Sequence, residues 1–182
     1  MDSAKGKLLI AGPRLIDPNF WRTVVLVVEH SEEGAFGLVL NRPSETSVGE
    51  AVPELEALID PDETLFIGGP VQPSTVITLA RFADIGQAAL AAFDDIGVLG
   101  TNGPGIEELA DDVITARAFV GHSGWGPGQL DGELETGDWI LEEARAGDVF
   151  SPAPRELWSE VLTRKGGSYA LVARMPMDPS LN

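Results

Sequence analysis

The sequence predicts an α+β fold built on a mixed, largely antiparallel sheet, and three observations predict it. Two continuous apolar runs, TVVLVV at 23–28 and AFGLVL at 35–40, are joined by a short polar link. Helical periodicity is concentrated late, above all in RELWSEVLTRK at 155–165. Between these runs, strands and helices do not alternate as they do in a doubly wound fold. The length of 182 residues suits one domain spanning 1–182.

Each element has its own justification. KLLIA at 7–11 is a short apolar run stopped by Gly12-Pro13, and reads as a strand. Asp17-Pro18-Asn19-Phe20 reads as a turn or a single helical turn, with Asp17 as N-cap and Pro18 at the first helical position. The run at 23–28 is β-branched and unbroken, as in a strand covered on both faces. Glu29 to Gly34 is polar, and the run that follows stops at Asn41-Arg42-Pro43, so the pair reads as a hairpin. Ser47 with Glu50 three residues on has capping-box spacing and opens a short helix. TLFI at 64–67, VITL at 76–79 and IGVL at 96–99 read as strands, and the alanine-rich 85–93 as helical or irregular. Ile106, Leu109, Ala110 and Val113 predict a helix over 105–112, and ARAFV at 116–120 a strand. Leu130 and Leu134 share a helix face, and WIL at 139–141 is a strand. In 155–165, Leu157, Trp158, Val161 and Leu162 face inward, and Gly166-Gly167 closes the helix. The end of the chain, 175–182, contains proline and reads as a loose tail.

Charge narrows the partners. The net charge is −17, with 13 acids and 6 bases in residues 1–91 and 16 acids and 6 bases in residues 92–182. There is no basic arm or stripe. Phosphate backbones are bound chiefly by clustered Lys and Arg, so the composition disfavours direct nucleic-acid binding and docking to an anionic membrane. No cysteine is present, which removes disulfides, thiolate metal sites and cysteine nucleophiles. No apolar run approaches the roughly 20 residues of a membrane span, and the N-terminus has too short an apolar core for a signal peptide. The expected location is the cytoplasm.

Catalytic motifs fail on spacing. GHSGW at 121–125 resembles a G-x-S-x-G elbow, but Trp125 stands where the second glycine belongs. That turn needs small residues around its serine. His122 adjoins Ser123, and strand neighbours point to opposite faces, so His122 cannot serve as its base. The two histidines, His30 and His122, match no metal-ligand spacing. The acids of 107–112 read as a solvated helix face. No phosphate-binding glycine pattern is complete. No metal or cofactor is expected.

Three features survive. Gly68-Gly69-Pro70 follows a strand directly, as a tight turn or a place of close backbone approach. Arg22-Thr23 opens one strand of the hairpin and Asn41-Arg42 closes the other. The two arginines therefore share one end of the sheet, to hold a carboxylate or phosphate, or to pair with local acids such as Asp17. Gly124-Trp125-Gly126-Pro127-Gly128-Gln129 leads into a helix whose first N–H groups suit an anion, with Trp125 as a buried anchor. Gln129 and Glu133 fall on one helix face.

These stretches carry a resemblance. DPNFWRTVVLVVEHSEEGAFGLVLNRP (17–43), IGGPV (67–71) and GHSGWGPGQLDGELETGDWIL (121–141) closely resemble the YqgE/AlgH family of bacterial proteins. GKLLIAGP (6–13) and RELW (155–158) fit it too. The resemblance implies one α+β domain with a barrel-like or bifurcated sheet and surrounding helices. It brings no catalytic mechanism, and the AlgH name implies only a proposed role in transcriptional regulation of alginate production. The family commonly has Tyr-Ala where this chain has His122-Ser123, and often a histidine where it has Ala80. His122 and Ser123 are therefore poor candidates for a family-wide catalytic pair.

The leading expectation is a binding or regulatory protein. Its groove would gather Arg22, Thr23, Glu29, His30, Asn41, Arg42, Gly68, Gly69, Pro70, Gly124, Trp125 and Gln129. Its partner would be a protein or a small anionic ligand. One alternative is a hydrolase using Glu29 or His30 as base beside an Arg22/Arg42 anion site, which requires Glu29 or His30, Arg22 and Gln129 to converge on one pocket. The other is a structural or assembly role marked by an exposed apolar patch.

Overall fold

The predicted strands bury most of their apolar residues, with Ile67 an exposed exception, and the sheet they form is bifurcated. The computed structural model describes residues 2–100 and 105–177. Within them lie ten strands: β1 (Lys7–Ala11), β2 (Val24–Ser31), β3 (Gly34–Val39), β4 (Pro43–Ser47), β5 (Thr64–Ile67), β6 (Val71–Phe82), β7 (Leu90–Phe93), β8 (Ile96–Val98), β9 (Val113–Trp125) and β10 (Trp139–Glu143). The helices are α1 (Val48–Ala51), α2 (Ile106–Leu109), α3 (Gln129–Thr136), α4 (Ala146–Val149), α5 (Leu157–Lys165) and α6 (Ser168–Val172).

The hydrogen-bonded order is β10-β1-β2-β3-β9-β6-β8-β7, with β4 and β5 off this path. All pairs are antiparallel except β5 with β9. Strand β9 is the branch. Its last residues, Ser123–Trp125, pair with Gly37–Ala35 of β3, while its earlier residues pair with both β5 and β6. The change of partner falls at Gly121, whose φ of 70° lies in the left-handed region. A Cβ there would run into the carbonyl oxygen of Gly69.

The unbroken apolar run of β2 is explained by layers on both faces. Val24, Leu26 and Val28 point into a core closed by α5 through Leu157, Trp158, Val161 and Leu162. Val25 and Val27 point the other way, toward Trp125, Leu130 and Trp139. A third core packs Val48, Leu55 and Ile59 against Phe82 and Ala118. The outer edge of β10 is capped from α5. Lys165 Nζ donates to Leu141 O at 3.0 Å and Arg164 Nη2 to Glu143 O at 3.3 Å, so two edge carbonyls are already used.

Several sequence expectations are corrected. Strand β2 runs on to Ser31, so the hairpin link is only Glu32-Glu33, and Glu29 and His30 sit on the strand past a bulge after Val27. Strand β9 continues through GHSGW, so this stretch is strand, not turn. Residues 85–93 form a short 3-10 turn and then β7. Pro43 does not end structure but opens β4, an edge strand where its missing N–H is harmless. Helix α2 is shorter than expected, and β4, α4 and α6 carry no clear signal in the sequence. Ser47 and Glu50 do form the reciprocal capping box of α1. Of the stretch 175–182, Met175 and Pro176 are fastened through their carbonyls to Arg22, and residues 178–182 lie outside the described residues.

Candidate functional site

Some of the motif residues meet in a packed aromatic cluster of Phe20, Trp125 and Trp139, and the others are placed elsewhere. The corner 17–23 is held from within. Thr23 Oγ1 donates to Phe20 O at 2.7 Å, and Asn19 N–H donates to Asp17 Oδ1 at 2.8 Å. Asn41 replaces a missing strand partner: its Oδ1 accepts from Val24 N and its Nδ2 donates to Arg22 O. Arg42 forks onto the carbonyls of Asn19, Pro18 and Trp21. Burial lowers the Arg42 pKa, and Asp17 partly opposes that.

This corner aims Phe20 inward. Its ring stacks on Trp125 at 6.2 Å and meets Trp139 edge-on at 5.5 Å, and the two indoles pack edge-on at 6.0 Å. Both indole N–H groups donate to one oxygen, Glu133 Oε2, each at 2.8 Å. Gln129 Nε2 donates to Glu133 Oε1 at 2.9 Å, and Gln129 Oε1 accepts Gly126 N–H at 3.1 Å. Gln129 N–H in turn donates to Gly126 O at 3.1 Å, which closes the turn before α3. Gln129 and Glu133 do share a face, and it is the cluster that they serve.

The Gly68-Gly69-Pro70 stretch is a close crossing of the chain with itself. Gly69 has φ 153°, and a Cβ there would overlap His122 O. Gly68 O accepts from Val39 N and from the buried Ser123 Oγ, while Pro70 is exposed and Gly124 pairs with Phe36. Ser123, the residue suggestive of a nucleophile, is thus a buried hydrogen-bond donor to backbone. His122 packs its ring against Phe36 at 5.1 Å, its Nδ1 is buried without a partner, and burial lowers its pKa.

Glu29 and His30 fasten the N-terminal arm. Glu29 Oε2 pairs with Lys5 Nζ at 2.7 Å, and that hydrogen bond holds the carboxyl below its usual pKa against the opposing effect of burial. His30 Nδ1 accepts Ala4 N–H at 3.0 Å, which places the ring proton on Nε2, 3.8 Å from Asp131 Oδ2. Its lone pair is therefore spent on backbone. Glu29 lines a hollow of about 230 Å³ with Trp125, while Arg22 lines a different cleft. The convergence of Glu29 or His30 with Arg22 and Gln129 that a hydrolase would require does not occur. Among the described residues, no group of three His, Asp or Glu side chains is placed to hold a metal ion.

Arg22 points away from Arg42. It adopts φ 53°, a strained conformation for a non-glycine residue, and its guanidinium lies over Trp158 at 4.5 Å and near Trp21 at 5.3 Å. One nitrogen, Nη2, donates to Met175 O and Pro176 O at 2.6 and 2.7 Å. No carboxylate pairs with it among the described residues, and burial lowers its pKa. With Arg155, Glu156, Ser159, Glu160, Thr163, Arg164 and Met177 it lines a cleft of about 730 Å³ along α5, so three arginines and two glutamates face it. Arg164 is engaged by Asp148 through two hydrogen bonds, whereas Arg155 is exposed and has no partner among the described residues.

Charge around this cleft is mixed. Residues 145–174 carry five bases and three acids, net +2, and the rest of the chain is then −19. Glu142 and Glu143 immediately before it bring 142–174 to zero, and Arg164 and Lys165 are paired with Asp148 and Glu142, so the segment is not a basic stripe.

Comparison with known proteins agrees with the fold and the motif order. The profile of the AlgH-like family matches residues 8–170. A UPF0301 protein of Streptomyces coelicolor is 42% identical over 188 residues, covering 100% of this chain and 97% of that protein. One from Thermobifida fusca is 41% identical over 192 residues, covering 99% of this chain and 96% of that protein. A crystal structure of a Corynebacterium diphtheriae protein superimposes with a TM-score of 0.85 at 31% identity, covering 96% of this chain and 94% of that one. The solution structure of AlgH from Pseudomonas aeruginosa gives 0.73 at 29% identity, with 97% and 96% covered. By its motifs, its fold and these likenesses, the chain belongs to the AlgH-like family of UPF0301 proteins.

Proposed function

We propose that this protein acts by binding rather than by catalysis, as a cytoplasmic regulatory protein whose partner is a protein or a small anionic ligand. One observation carries the reading. The polar side chains that the motifs supply are spent on the fold itself: Glu29 on Lys5, His30 on Ala4, Arg42 on three carbonyls and Gln129 on Glu133. No nucleophile–base pair is left over from them. What stays available is the α5 cleft, where Glu156 and Glu160 share the lining but Arg22 and Arg155 form no ion pair among the described residues and keep guanidinium N–H groups to offer. Guanidinium groups favour carboxylate and phosphate oxygens. Direct nucleic-acid contact is disfavoured by a charge of −17.

The test is native mass spectrometry of protein purified from its own host, looking for a retained ligand or partner. Calorimetry with phosphate and small dicarboxylates, comparing the native chain with Arg155→Ala, would then locate the binding. Turnover of esterase, phosphatase or nuclease substrates that survives further purification would overturn the reading.

A further inference from the structure

The N-terminal arm is held by a histidine that can accept a hydrogen bond only while neutral. Ala4 N–H donates to His30 Nδ1 at 3.0 Å, and Ser3 Oγ donates to His30 O at 3.1 Å. The methyl group of Ala4 is fully buried in the core beside Val27, Trp125 and Leu130. Behind the ring stands Asp131 of α3. Its Oδ2 is 3.8 Å from His30 Nε2, and its Oδ1 is buried without a partner. A buried acceptor left unsatisfied is costly, and such groups are rare in native folds.

Other charges around the ring are few. Glu29, on the same strand, accepts His30 N–H through Oε1 and pairs with Lys5 of the arm through Oε2. Lys5 opposes a positive charge on the ring, whereas Glu29 and Asp131 favour one. The Lys5–Glu29 pair is about a third exposed on each side, so it adds little to holding the arm. At the base of the arm, Gly6 N–H donates to Val27 O at 2.8 Å, and Gly6 itself has φ 74°. That residue is a fixed hinge with the arm on its outer side.

From this arrangement we propose that His30 is a proton-operated latch for residues 2–5. Uptake of a proton converts Nδ1 from acceptor to donor, so two N–H groups face each other across the Ala4 contact. The imidazolium instead turns its charge to Asp131, whose Oδ2 lies 3.8 Å from Nε2. The arm then swings about Gly6 and uncovers the apolar surface beneath Ala4, beside the hollow lined by Glu29, Phe36 and Trp125.

The test is amide exchange and 1H–15N NOE measurement on the full chain at pH 8 and pH 5, corrected for the intrinsic pH dependence of exchange. Protection of the Ala4 amide is expected to fall about tenfold or more at pH 5, with loss of NOE over residues 2–5. His30→Asn keeps an acceptor oxygen near the position of Nδ1 and takes up no proton, so its arm stays docked at pH 5. Asp131→Asn removes the anion that draws the imidazolium, and moves the release to lower pH. Unchanged protection in the native chain overturns the latch, as does parallel loss in His30→Asn. If His30→Asn does not fold, Asp131→Asn decides: a profile superimposable on the native one overturns the proposal.

Discussion

Phe20 and Trp125 come from motifs far apart in the chain, and their rings stack with centroids 6.2 Å apart. The contact ties the 17–23 corner to the end of β9. Replacing Phe20 by Ala removes the ring that both indoles pack against. Because Phe20 is half-buried, the expected cost is about 2–3 kcal/mol, below that of a fully buried phenylalanine. Urea unfolding followed by tryptophan fluorescence checks it, with a lower midpoint at constant slope as the expected result.

Glu133 is the common acceptor of Trp125, Trp139 and Gln129. Glu133→Ala leaves two indole N–H groups without their acceptor, and a loss of about 2–4 kcal/mol is expected from two unmade bonds. Glu133→Gln keeps one acceptor oxygen and is expected to cost less. Proton NMR of the two indole N–H resonances separates the cases, since both move in the first and one moves more than the other in the second.

Glycines at positive φ differ here by what surrounds them. Gly69→Ala and Gly121→Ala each drive a methyl into a backbone carbonyl oxygen, of His122 and of Gly69, and neither backbone can yield without opening the branch of the sheet. Each is expected to cost more than about 4 kcal/mol and to deplete folded protein. Gly128 has φ 70°, and a methyl added there meets nothing within 4 Å, so Gly128→Ala carries only conformational strain of about 1–2 kcal/mol. Thermal unfolding of the three variants side by side checks the order.

His122 makes stability depend on pH. Burial lowers its pKa in the fold below the ordinary 6.5, so the unfolded chain binds the proton more readily. Its contribution is complete above that ordinary value and is lost as pH falls below it. Glu29, whose pKa is lowered from 4.5 chiefly by its hydrogen bond to Lys5, adds a second loss at more acid pH. Urea unfolding at pH 8, 7, 6 and 5 is expected to show falling stability, with a shallower decline in His122→Phe.

The sequence revealed the elements with strong local signals. The β2–β3 hairpin, the capping box at Ser47 and the amphipathic face of α5 are written in periodicity and cap chemistry, and all three are present. Strand β7 was obscured by alanines, which have no strong preference for a strand, and β4 by a proline that only an edge position tolerates. The site was harder to read. Arg22 and Arg42 do share one end of the sheet, but side-chain direction decides their use, and one turns to α5 while the other turns to its own corner. The role of Glu133 depends on two tryptophans brought together only by tertiary packing, as does the burial of Ser123 under Gly68 O.

The branching of the sheet at β9 also sets the order of events on the ribosome. Strands β3, β5 and β6 all wait for residues 113–125 before they gain their central partner. At a synthesis rate of roughly 5–20 residues per second, the apolar β2–β3 hairpin is exposed for several seconds before β9 emerges. A nascent chain arrested before Val113 therefore has only the separate pairings β1-β2-β3, β4-β5 and β6-β8-β7, with no strand to join them, and its hydrophobic strands are natural clients for a chaperone. Most of the native structure then forms in one late, cooperative step.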